Sequence, residues 1–569
     1  MSATAGPPAD IDRVWLKRYP PEVPPRVDIP NVLLPELIHR AVEKWADRTA
    51  LVYYGARWSY RRFWSETEHL AAAFRENGIG PGDRVALYLP NCPLYPIAFF
   101  ATLRIGATVV QVSPLYLGQD LSHILKDSGA KAVVTLEILF PNLAKVRSES
   151  AVSVAFVARI REFRPWYQRP FVNSVLRRQH LPTEFPTEPW VRSYVVARRT
   201  AGAVPPIAAD PATTVAVFQY TGGTTGVPKA AMLTHRNLVA NVTQGNIWNT
   251  SRESGKEVAM ASLPFFHVYG LTVALLMSLA DGGTVVIQTR PEIRELLKLI
   301  DKYQPTQFPG VPALYNLFNQ QPDLAKFRIH SIKYCCSGSA PLPLEVARRF
   351  ESLTGAAIVE GYGLSETSPV THVNPLRGER RVGSIGLPLP DTDERVVDIE
   401  SGRRVLGPDE VGELEVRGPQ VMLGYYNQPQ ETAAVLQDGW FRTGDIARID
   451  ADGYCYIVDR KKDMINVGGM KVYPRDVEEV LFQHPAVRDV AVIGVPDAEH
   501  GEVVKAFVVK KPGATVTADD LIAFVRERLA HYKAPRSVEF RETLPRSGVQ
   551  KVLRRVLRDE GAGATRPAK

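Results

Sequence analysis

One eleven-residue stretch, from Tyr220 to Ala230, restricts what this chain can fold into and bind more than any other. It follows the apolar run 215–218, which is typical of a short buried strand entering a turn. Its glycines remove the Cβ atoms that would keep a backbone away from a ligand, while hydroxyls and a lysine suit anionic oxygens. A polyphosphate fits such a loop, and the candidate residues are Thr221, Gly222, Gly223, Thr224, Thr225, Gly226 and Lys229. A flexible surface turn is the alternative reading.

Length and composition set broad limits. A chain of 569 residues is too long for one core, so several domains or subdomains are expected. Hydrophobic residues make up 45% of the chain and charged residues 23%, which is ordinary for a globular protein in water. The formal net charge of +8 favours acidic substrates or an anionic membrane surface. No nucleic-acid-binding motif accompanies the charge, so nucleic acid is not expected as a partner.

The cysteines and the N-terminus bear on location. The four cysteines form no CxxC pair, and vicinal residues such as Cys335 and Cys336 rarely bridge, so reduced thiols in a cytoplasmic protein are predicted. Residues 1–10 are polar and lack the apolar region of a signal peptide. Residues 263–280 are apolar over about the length that spans a bilayer, but Pro264 and His267 favour a buried core segment. No transmembrane segment is predicted.

Strands that alternate with helices predict an α/β architecture. Strand patterns occur at 51–54, 84–89 and 108–112, with helix patterns between them. The alternation breaks between about 150 and 205, where arginines mix with aromatic residues. Such a segment could lie on an anionic membrane surface, or it could pack on the domain with a solvated basic face.

Three later stretches carry further candidates. Residues 334–341 are typical of a strand that leads into a turn of small residues, where a flat ring could approach the backbone. Residues 360–369 contain a Gly-Tyr-Gly turn, which offers an aromatic face to a base, and Glu366, a hard oxygen ligand suited to Mg²⁺. Residues 439–446 put Asp445 after a tight turn, where a carboxylate can accept both ribose hydroxyls. Each of the three patterns also occurs in purely structural turns.

The last third of the chain contains a predicted domain boundary. Charges, two glycines and a proline crowd into residues 459–474, and a compact α+β unit follows. We therefore expect an N-terminal domain at 1–459 and a C-terminal domain at 460–569. Lys551 follows a loop that contains proline and glycine, although a lysine near a terminus is ordinarily a solvated surface residue.

In their order along the chain, these stretches resemble the acyl-adenylate-forming enzymes, which include acyl-CoA synthetases, firefly luciferase and peptide-synthetase adenylation domains. The resemblance rests on the loop 220–230, the turn 338–340, Gly361-Tyr-Gly-Leu-Ser-Glu366, Thr443-Gly-Asp445, Asp459-Arg-Lys-Lys-Asp463 and Lys551. Residues 14–20, 418–425 and 457–465 are similar to one branch, the bacterial long-chain fatty-acid–CoA ligases. Two departures are Ala230, where glycine is usual, and Ser365, where threonine is usual.

The resemblance implies a large N-terminal AMP-binding domain of several subdomains and a small, mobile α+β C-terminal domain with its hinge at Lys462. It implies that a fatty acid reacts with Mg·ATP to give acyl-AMP and pyrophosphate, and that CoA then displaces AMP. Lys551 and Glu366 would be catalytic, Glu366 and Thr221 would bind the metal, Ser365 would contact phosphate, and His267 would line the acyl pocket. Adenine and ribose would contact Gly338, Ser339, Ala340, Glu360, Gly361, Tyr362, Gly363, Asp445 and Arg460.

Other readings stay open. A medium-chain or aryl (coumarate-like) CoA ligase shares every motif above, and a decayed homologue that only binds lipid or nucleotide is the alternative outside the enzymes. The acyl chain length, the CoA-binding residues and the oligomeric state are undecided. We expect a cytoplasmic location, with peripheral contact on the inner face of the membrane and a homodimer both left open.

Overall fold

The computed structural model describes residues 12–202, 204–221, 228–290, 292–497, 499–546 and 552–563, with the backbone alone for 561–563. The chain divides into two compact units. The first comprises Met1–Asp393, Arg417–Phe441 and Asp452–Tyr454, and the second comprises Glu394–Val416, Arg442–Ala451 and Cys455–Lys569. The second unit thus includes two segments that precede residue 460, and the domain boundary expected there stays a prediction.

An eight-stranded sheet forms the centre of the first unit. In spatial order its strands are Gly424–Tyr425, Lys229–Thr234, Val215–Thr221, Thr108–Val112, Arg84–Tyr88, Ala132–Leu136, Val154–Ala158 and Val191–Ser193. The last six run parallel, whereas Lys229–Thr234 is antiparallel to both of its neighbours. Every residue of Ala132–Leu136 is buried, as expected for a parallel strand covered on both faces. The predicted α/β fold class is confirmed.

Two smaller sheets and a set of helices complete the first unit. One sheet has the order Val258–Ala261, Thr284–Ile287, Thr49–Tyr53 and Ala56–Ser59, and the other has Tyr334–Ser337, Ala357–Gly363, Val370–Val373 and Leu387–Pro388. The described α-helices are Leu34–Lys44, Tyr60–Glu76, Leu94–Arg104, Gly118–Ser128, Phe140–Val146, Arg169–Arg178, Tyr194–Ala197, His235–Trp248, Met277–Ala280, Ile293–Tyr303, Pro312–Asn319, Leu344–Thr354 and Pro429–Val435. A π-helical segment, Gly270–Leu276, precedes one of them.

Side-chain caps determine where two of these helices begin. The Ser59 hydroxyl accepts the Arg62 N–H at 3.2 Å, and the helix Tyr60–Glu76 begins immediately after Ser59. Thr234 and Asn237 form a reciprocal capping box, with bonds of 3.1 and 2.9 Å. The helix that begins there continues to Trp248, and buried residues line its last turns.

The second unit contains all or most of four strands, Asp393–Val397, Gly412–Arg417, Trp440–Ile449 and Cys455–Arg460. Its C-terminal sheet has the order Met470–Val472, Ile465–Val467, Gly501–Lys510 and Val487–Asp497, and Ser537–Phe540 also pairs with Gly501–Lys510. Its described α-helices are Pro474–Phe482, Ala518–Arg526 and Arg554–Gly563. A core of valines and leucines from the sheet and the first two helices holds this part together.

Residues 150–205 are more regular than the sequence suggests. Val154–Ala158 and Val191–Ser193 form the edge of the large sheet, so the predicted break in the alternation applies only to the stretch between them. That stretch contains the helix Arg169–Arg178. The strand Val191–Ser193 escaped detection because three residues are too few to show a periodic pattern. Within the described parts of the chain, no helix has the length and apolar content needed to cross a membrane.

Glu137 is a buried acid at the end of the strand Ala132–Leu136. Its side chain is 1% exposed, and both carboxyl oxygens accept the Ile160 N–H at 3.0 Å. Burial raises the pKa of this carboxyl from 4.5 to about 7, although the N–H partner opposes the change. The folded chain therefore holds this proton more tightly than the unfolded chain does, and stability falls as pH rises through about 7.

We expect Glu137→Gln to remove this pH dependence, because glutamine accepts the same N–H but does not titrate. Relative to the original chain, the variant should gain up to about 3 kcal/mol in free energy of unfolding between pH 5 and pH 8. Urea unfolding at the two pH values measures the change. The exposed Glu76→Gln serves as the control. A difference between variant and original chain that is equal at both pH values would contradict the prediction.

Candidate active site

Two antiparallel strands of the large sheet frame the predicted phosphate loop. Val215–Thr221 enters the loop and Lys229–Thr234 leaves it, with Thr221 opposite Lys229. The Thr221 hydroxyl donates to the Lys229 carbonyl oxygen at 3.5 Å. The phosphate contacts of the residues between them stay predictions, because the described residues do not include Gly222, Gly223, Thr224, Thr225 and Gly226.

The Lys229 ammonium has a carboxylate partner within the first unit. Its Nζ lies 2.6 Å from Oε2 of Glu431, and the lysine side chain is 11% exposed against 41% for the glutamate. A cavity of about 240 Å³ adjoins the pair and is lined in part by His123 and Asp127. An anionic ligand could replace the glutamate at this cation, because the half-exposed carboxylate can return to water at a small cost in free energy.

Glu366 is hydrogen-bonded to the strand that pairs with the second edge of Lys229–Thr234. The edge strand Gly424–Tyr425 pairs with Lys229–Thr234, and the Tyr425 hydroxyl donates to Glu366 Oε1 at 2.8 Å. The Met422 N–H donates to the Glu366 carbonyl oxygen, also at 2.8 Å. Burial first, and then the charge of Glu366, raise the pKa of Tyr425, so the phenol stays a proton donor. The fold thus brings the predicted metal ligand close to the strand that carries Lys229.

Sequence reasoning missed Tyr425 and Glu431. Tyr425 ends the stretch 418–425, which served only to indicate one branch of the family. Their partners lie 59 and 202 residues away along the chain, and local patterns do not encode such pairings. The one available signal was a tyrosine in an apolar stretch followed six residues later by an acid at the start of a helix, Pro429–Val435.

The predicted adenine-binding residues lie at the ends of two parallel strands, Tyr334–Ser337 and Ala357–Gly363. The pairing sets two groups of residues side by side, Gly338, Ser339 and Ala340 in one and Glu360, Gly361, Tyr362 and Gly363 in the other. A Cβ on Gly338 would lie 3.2 Å from the Tyr269 ring and 3.4 Å from the Gly361 carbonyl oxygen. Glycine therefore fits this close approach better than any residue with a side chain.

The Gly-Tyr-Gly turn was predicted wrongly. Gly361, Tyr362 and Gly363 are the last three residues of the strand Ala357–Gly363, and Tyr362 pairs with His372 of the next strand. The two rings meet edge to face, with their centroids 5.9 Å apart. Pairing of these three residues with the strand Val370–Val373 outweighs the preference of glycine for turns. Ser365 lies beyond the strand, in the 3₁₀ turn Ser365–Thr367 that also carries Glu366.

His267 lies before the π-helical segment Gly270–Leu276 and is partly exposed. Its Nδ1 accepts the Tyr269 N–H at 3.2 Å. The Tyr269 hydroxyl in turn donates to the Cys336 carbonyl oxygen at 2.7 Å, beside the predicted adenine turn. A contact between His267 and an acyl chain stays a prediction.

The predicted ribose ligands are paired within the second unit. Asp445 and Arg460 face each other on the antiparallel strands Trp440–Ile449 and Cys455–Arg460. Arg460 Nε lies 3.0 Å from Asp445 Oδ1, with the aspartate side chain 3% exposed. The expected tight turn before Asp445 is wrong, because Asp445 lies inside a ten-residue strand. Gly444 has a φ of +70°, and this residue supplied the turn signal in the sequence.

The predicted hinge, Lys462, is an exposed residue in a turn of the second unit. Its neighbour Asp463 is buried and accepts from two arginines of the helix Arg554–Gly563, at 3.2 Å from Arg554 and at 2.6 Å from Arg558. This network joins the start of the C-terminal part to its last described helix. Lys551 itself lies outside the described residues, so its position stays a prediction.

Two known protein-family models match most of this chain. Residues 38–426 match the AMP-binding enzyme family, and residues 476–551 match the AMP-binding enzyme C-terminal domain. The chain belongs to the AMP-binding enzyme family. The predicted family and fold are confirmed, including a large N-terminal part and a small C-terminal part.

Related proteins align with this chain over almost its whole length. The chain is 42% identical over 550 residues to a long-chain-fatty-acid–CoA ligase of Bacillus subtilis, covering 96% of this chain and 98% of the relative. It is 40% identical to the enzyme of the same name from Salmonella typhimurium, covering 97% and 99%. A 4-coumarate–CoA ligase-like protein of Oryza sativa is 33% identical, covering 98% and 97%.

Solved structures agree with this assignment. The ATP-bound MatB of Rhodopseudomonas palustris superposes with a TM-score of 0.82 at 28% identity, covering 94% of this chain and 100% of that one. An anthranilate CoA ligase in complex with anthranoyl-AMP has a TM-score of 0.84 at 24% identity, covering 95% and 98%. The second likeness shows the shared fold alone.

Proposed function

We propose that this AMP-binding enzyme is a long-chain fatty acid–CoA ligase. It would join a fatty acid to ATP as an acyl-adenylate with release of pyrophosphate, and then transfer the acyl group to the CoA thiol with release of AMP. The observation that carries the proposal is the end-to-end match, at 42% identity, to a ligase with this name. The same match supports ATP, CoA and fatty acid as substrates.

In the first half-reaction a carboxylate must approach a triphosphate of like charge, so positioning and charge neutralisation carry much of the catalysis. We assign Lys551 to the carboxylate and α-phosphate, and Lys229 to the departing pyrophosphate, together with the hydroxyls of Thr221, Thr224 and Thr225. Asp445 and Arg460 hold the ribose, and the ion pair between them orients the Asp445 carboxylate toward the ribose hydroxyls.

Mg²⁺ belongs to the same proposal, and the residues fit it. Glu366 offers carboxylate oxygens, the ligand type that Mg²⁺ prefers, and the Tyr425 hydroxyl fixes one of them. Thr221 ends the strand that leads into the phosphate loop and can add a hydroxyl. When bound, the ion would neutralise phosphate charge; Glu366 would hold it and Tyr425 would orient Glu366.

A medium-chain or aryl CoA ligase is the second candidate, supported by the 33% identity to the coumarate ligase-like protein. AMP formation with CoA, measured across acids from acetate to oleate and with coumarate, separates the candidates. We expect turnover to be highest with long saturated or monounsaturated acids. A maximum at acetate or coumarate would refute the long-chain assignment and leave the adenylation chemistry intact. No pyrophosphate release with any acid would favour a binding protein instead.

We further infer a cytoplasmic protein with peripheral contact on the inner face of the membrane. Its support is the basic charge of the chain and the arginines between residues 159 and 178. A homodimer is also part of this proposal, and sedimentation velocity would test it directly.

Two substitutions in the C-terminal part should affect opposite half-reactions. Lys551→Ala should lower acyl-AMP formation by about 100-fold or more, because the carboxylate and α-phosphate lose their counter-charge. It should still convert supplied acyl-AMP and CoA to thioester. Lys462→Pro should spare adenylation and slow thioester formation, because proline fixes φ at the proposed hinge and restricts the preceding residue.

ATP–pyrophosphate exchange and thioester formation from isolated acyl-AMP measure the two steps separately. Lys461→Ala, one residue before the hinge, is the control for local disturbance; its ammonium pairs with Glu413 at 2.8 Å. Equal losses in both steps for Lys551→Ala would contradict its role, and unchanged rates for Lys462→Pro would remove the hinge from the mechanism.

Tyr425→Phe should weaken metal–nucleotide binding. The variant keeps the ring and removes the hydroxyl that orients Glu366, so we expect the affinity for Mn²⁺·ATP to fall by about threefold to tenfold. Electron paramagnetic resonance of Mn²⁺ reports binding without turnover. Tyr426→Phe makes the same chemical change one residue further on, where the ring packs against Phe218, and it should shift the affinity by less than about twofold. Equal effects of the two variants would leave Tyr425 without this role.

A further inference from the structure

Residues 163–183 carry four arginines and neither aspartate nor glutamate. They lie between the strands Val154–Ala158 and Val191–Ser193, so they project from one edge of the large sheet in the first unit. Because this run contains no acid, its arginines give the local surface a positive electrostatic potential. The proposed ligase chemistry uses none of these residues.

The segment is fixed to the first unit on its inner side. Phe163 is buried and its ring packs against Trp58 and Tyr194, with centroid distances of 6.5 and 5.6 Å. The Arg164 guanidinium stacks 3.3 Å above the Tyr54 ring. Leu176 is buried on the helix Arg169–Arg178. These contacts give the opposite side of the segment a defined orientation.

That opposite side presents large apolar groups to solvent. Trp166 is 79% exposed, Phe171 is 71% exposed and Val175 is 50% exposed. Phe171, Val175 and Arg178 follow one another at helical spacings of four and three residues, so they share the face turned away from Leu176. Removing apolar side chains such as Phe171 from water is favourable, so a folded chain gains from covering this face.

We propose that this face, the Trp166–Arg178 surface, docks on an anionic lipid membrane. Tryptophan and other aromatic rings favour the level of the lipid headgroups, and a short amphipathic helix can lie in that plane with its apolar side chains inserted. Arginines beside them attract anionic headgroups. Aromatic residues, arginine and the lack of acids thus point to the same partner.

Charge argues against a second copy of the chain as the occupant. A two-fold contact would bring the arginines of one copy against those of the other, and like charges so arranged oppose association. An acidic protein would neutralise the arginines, but it would not account for the exposed tryptophan, which favours the level of the lipid headgroups. The Trp166–Arg178 surface gives a location to the membrane contact inferred under the proposed function and rests on that part of it. It does not depend on the proposed ligase reaction, because none of its residues belongs to the candidate active site.

Vesicle co-sedimentation of the full chain tests the surface. We expect clear binding to vesicles of phosphatidylglycerol and phosphatidylcholine, little binding to phosphatidylcholine alone, and a loss of binding at high salt. Arg177→Glu/Arg178→Glu and Trp166→Ala/Phe171→Ala should each weaken binding by about tenfold or more. The emission of Trp166, taken as the difference between the original chain and Trp166→Phe, should shift to the blue when anionic vesicles are added.

Two matched variants control for charge and hydrophobicity elsewhere. Arg403→Glu/Arg404→Glu reverses an exposed arginine pair in the second unit, and Leu317→Ala removes an exposed leucine from another helix. Both should bind vesicles as the original chain does, and thermal unfolding shows whether each variant is folded. Equal binding to neutral and anionic vesicles, or unchanged binding by the surface variants, would overturn the proposal. So would a fall in sedimentation coefficient of those variants without vesicles, because it would assign the face to self-association.

Discussion

The position of the strand Lys229–Thr234 between two neighbouring strands is the constraint on which the candidate site depends. Along one edge this strand pairs with Val215–Thr221, which leads into the phosphate loop, and along the other it pairs with Gly424–Tyr425. Backbone pairing on both edges fixes the start of the strand, where Lys229 lies, between the loop and Tyr425. Glu366 then takes its orientation from Tyr425, so one set of ladder hydrogen bonds sets the relative position of the predicted phosphate-binding cation and the predicted metal ligand.

Charge compensation follows the same logic in both units. Lys229 pairs with Glu431, and Arg460 pairs with Asp445, so both of these predicted nucleotide-binding cations form an ion pair with a carboxylate. The two pairs differ in burial, because Glu431 is far more exposed than Asp445. A phosphate can therefore displace Glu431 at low cost, whereas Asp445 keeps its arginine and can still accept hydroxyls through its carboxylate. In the proposed reaction, an exchangeable pair at Lys229 would suit the pyrophosphate, which must leave, and a fixed pair at Asp445 would suit the ribose.

The sequence predicted the residues whose chemistry is local. A glycine-rich loop, a capping serine or a buried run of valines can be recognised within ten residues, and the caps at Ser59 and Thr234 each involve residues only three positions apart. The sequence-based predictions were wrong where pairing with neighbouring strands determines the local conformation. Gly361–Gly363 and Gly444 read as turns, yet pairing with adjacent strands holds both in extended segments. The roles of Tyr425 and Glu431 were not predicted, because their hydrogen-bond partners lie far away along the chain.

The order of strands separates the two functions proposed for the first unit. Gly424–Tyr425 lies at one end of the eight-stranded sheet and Val191–Ser193 at the other. Seven spacings of about 4.8 Å put about 34 Å between them, several Debye lengths at physiological salt. The arginines of the Trp166–Arg178 surface therefore act on a partner without altering the charge balance at Lys229. An insertion at a sheet edge can change in sequence while its buried anchors, Phe163 and Leu176, keep it attached, and the opposite edge, which carries the candidate active site, is unaffected.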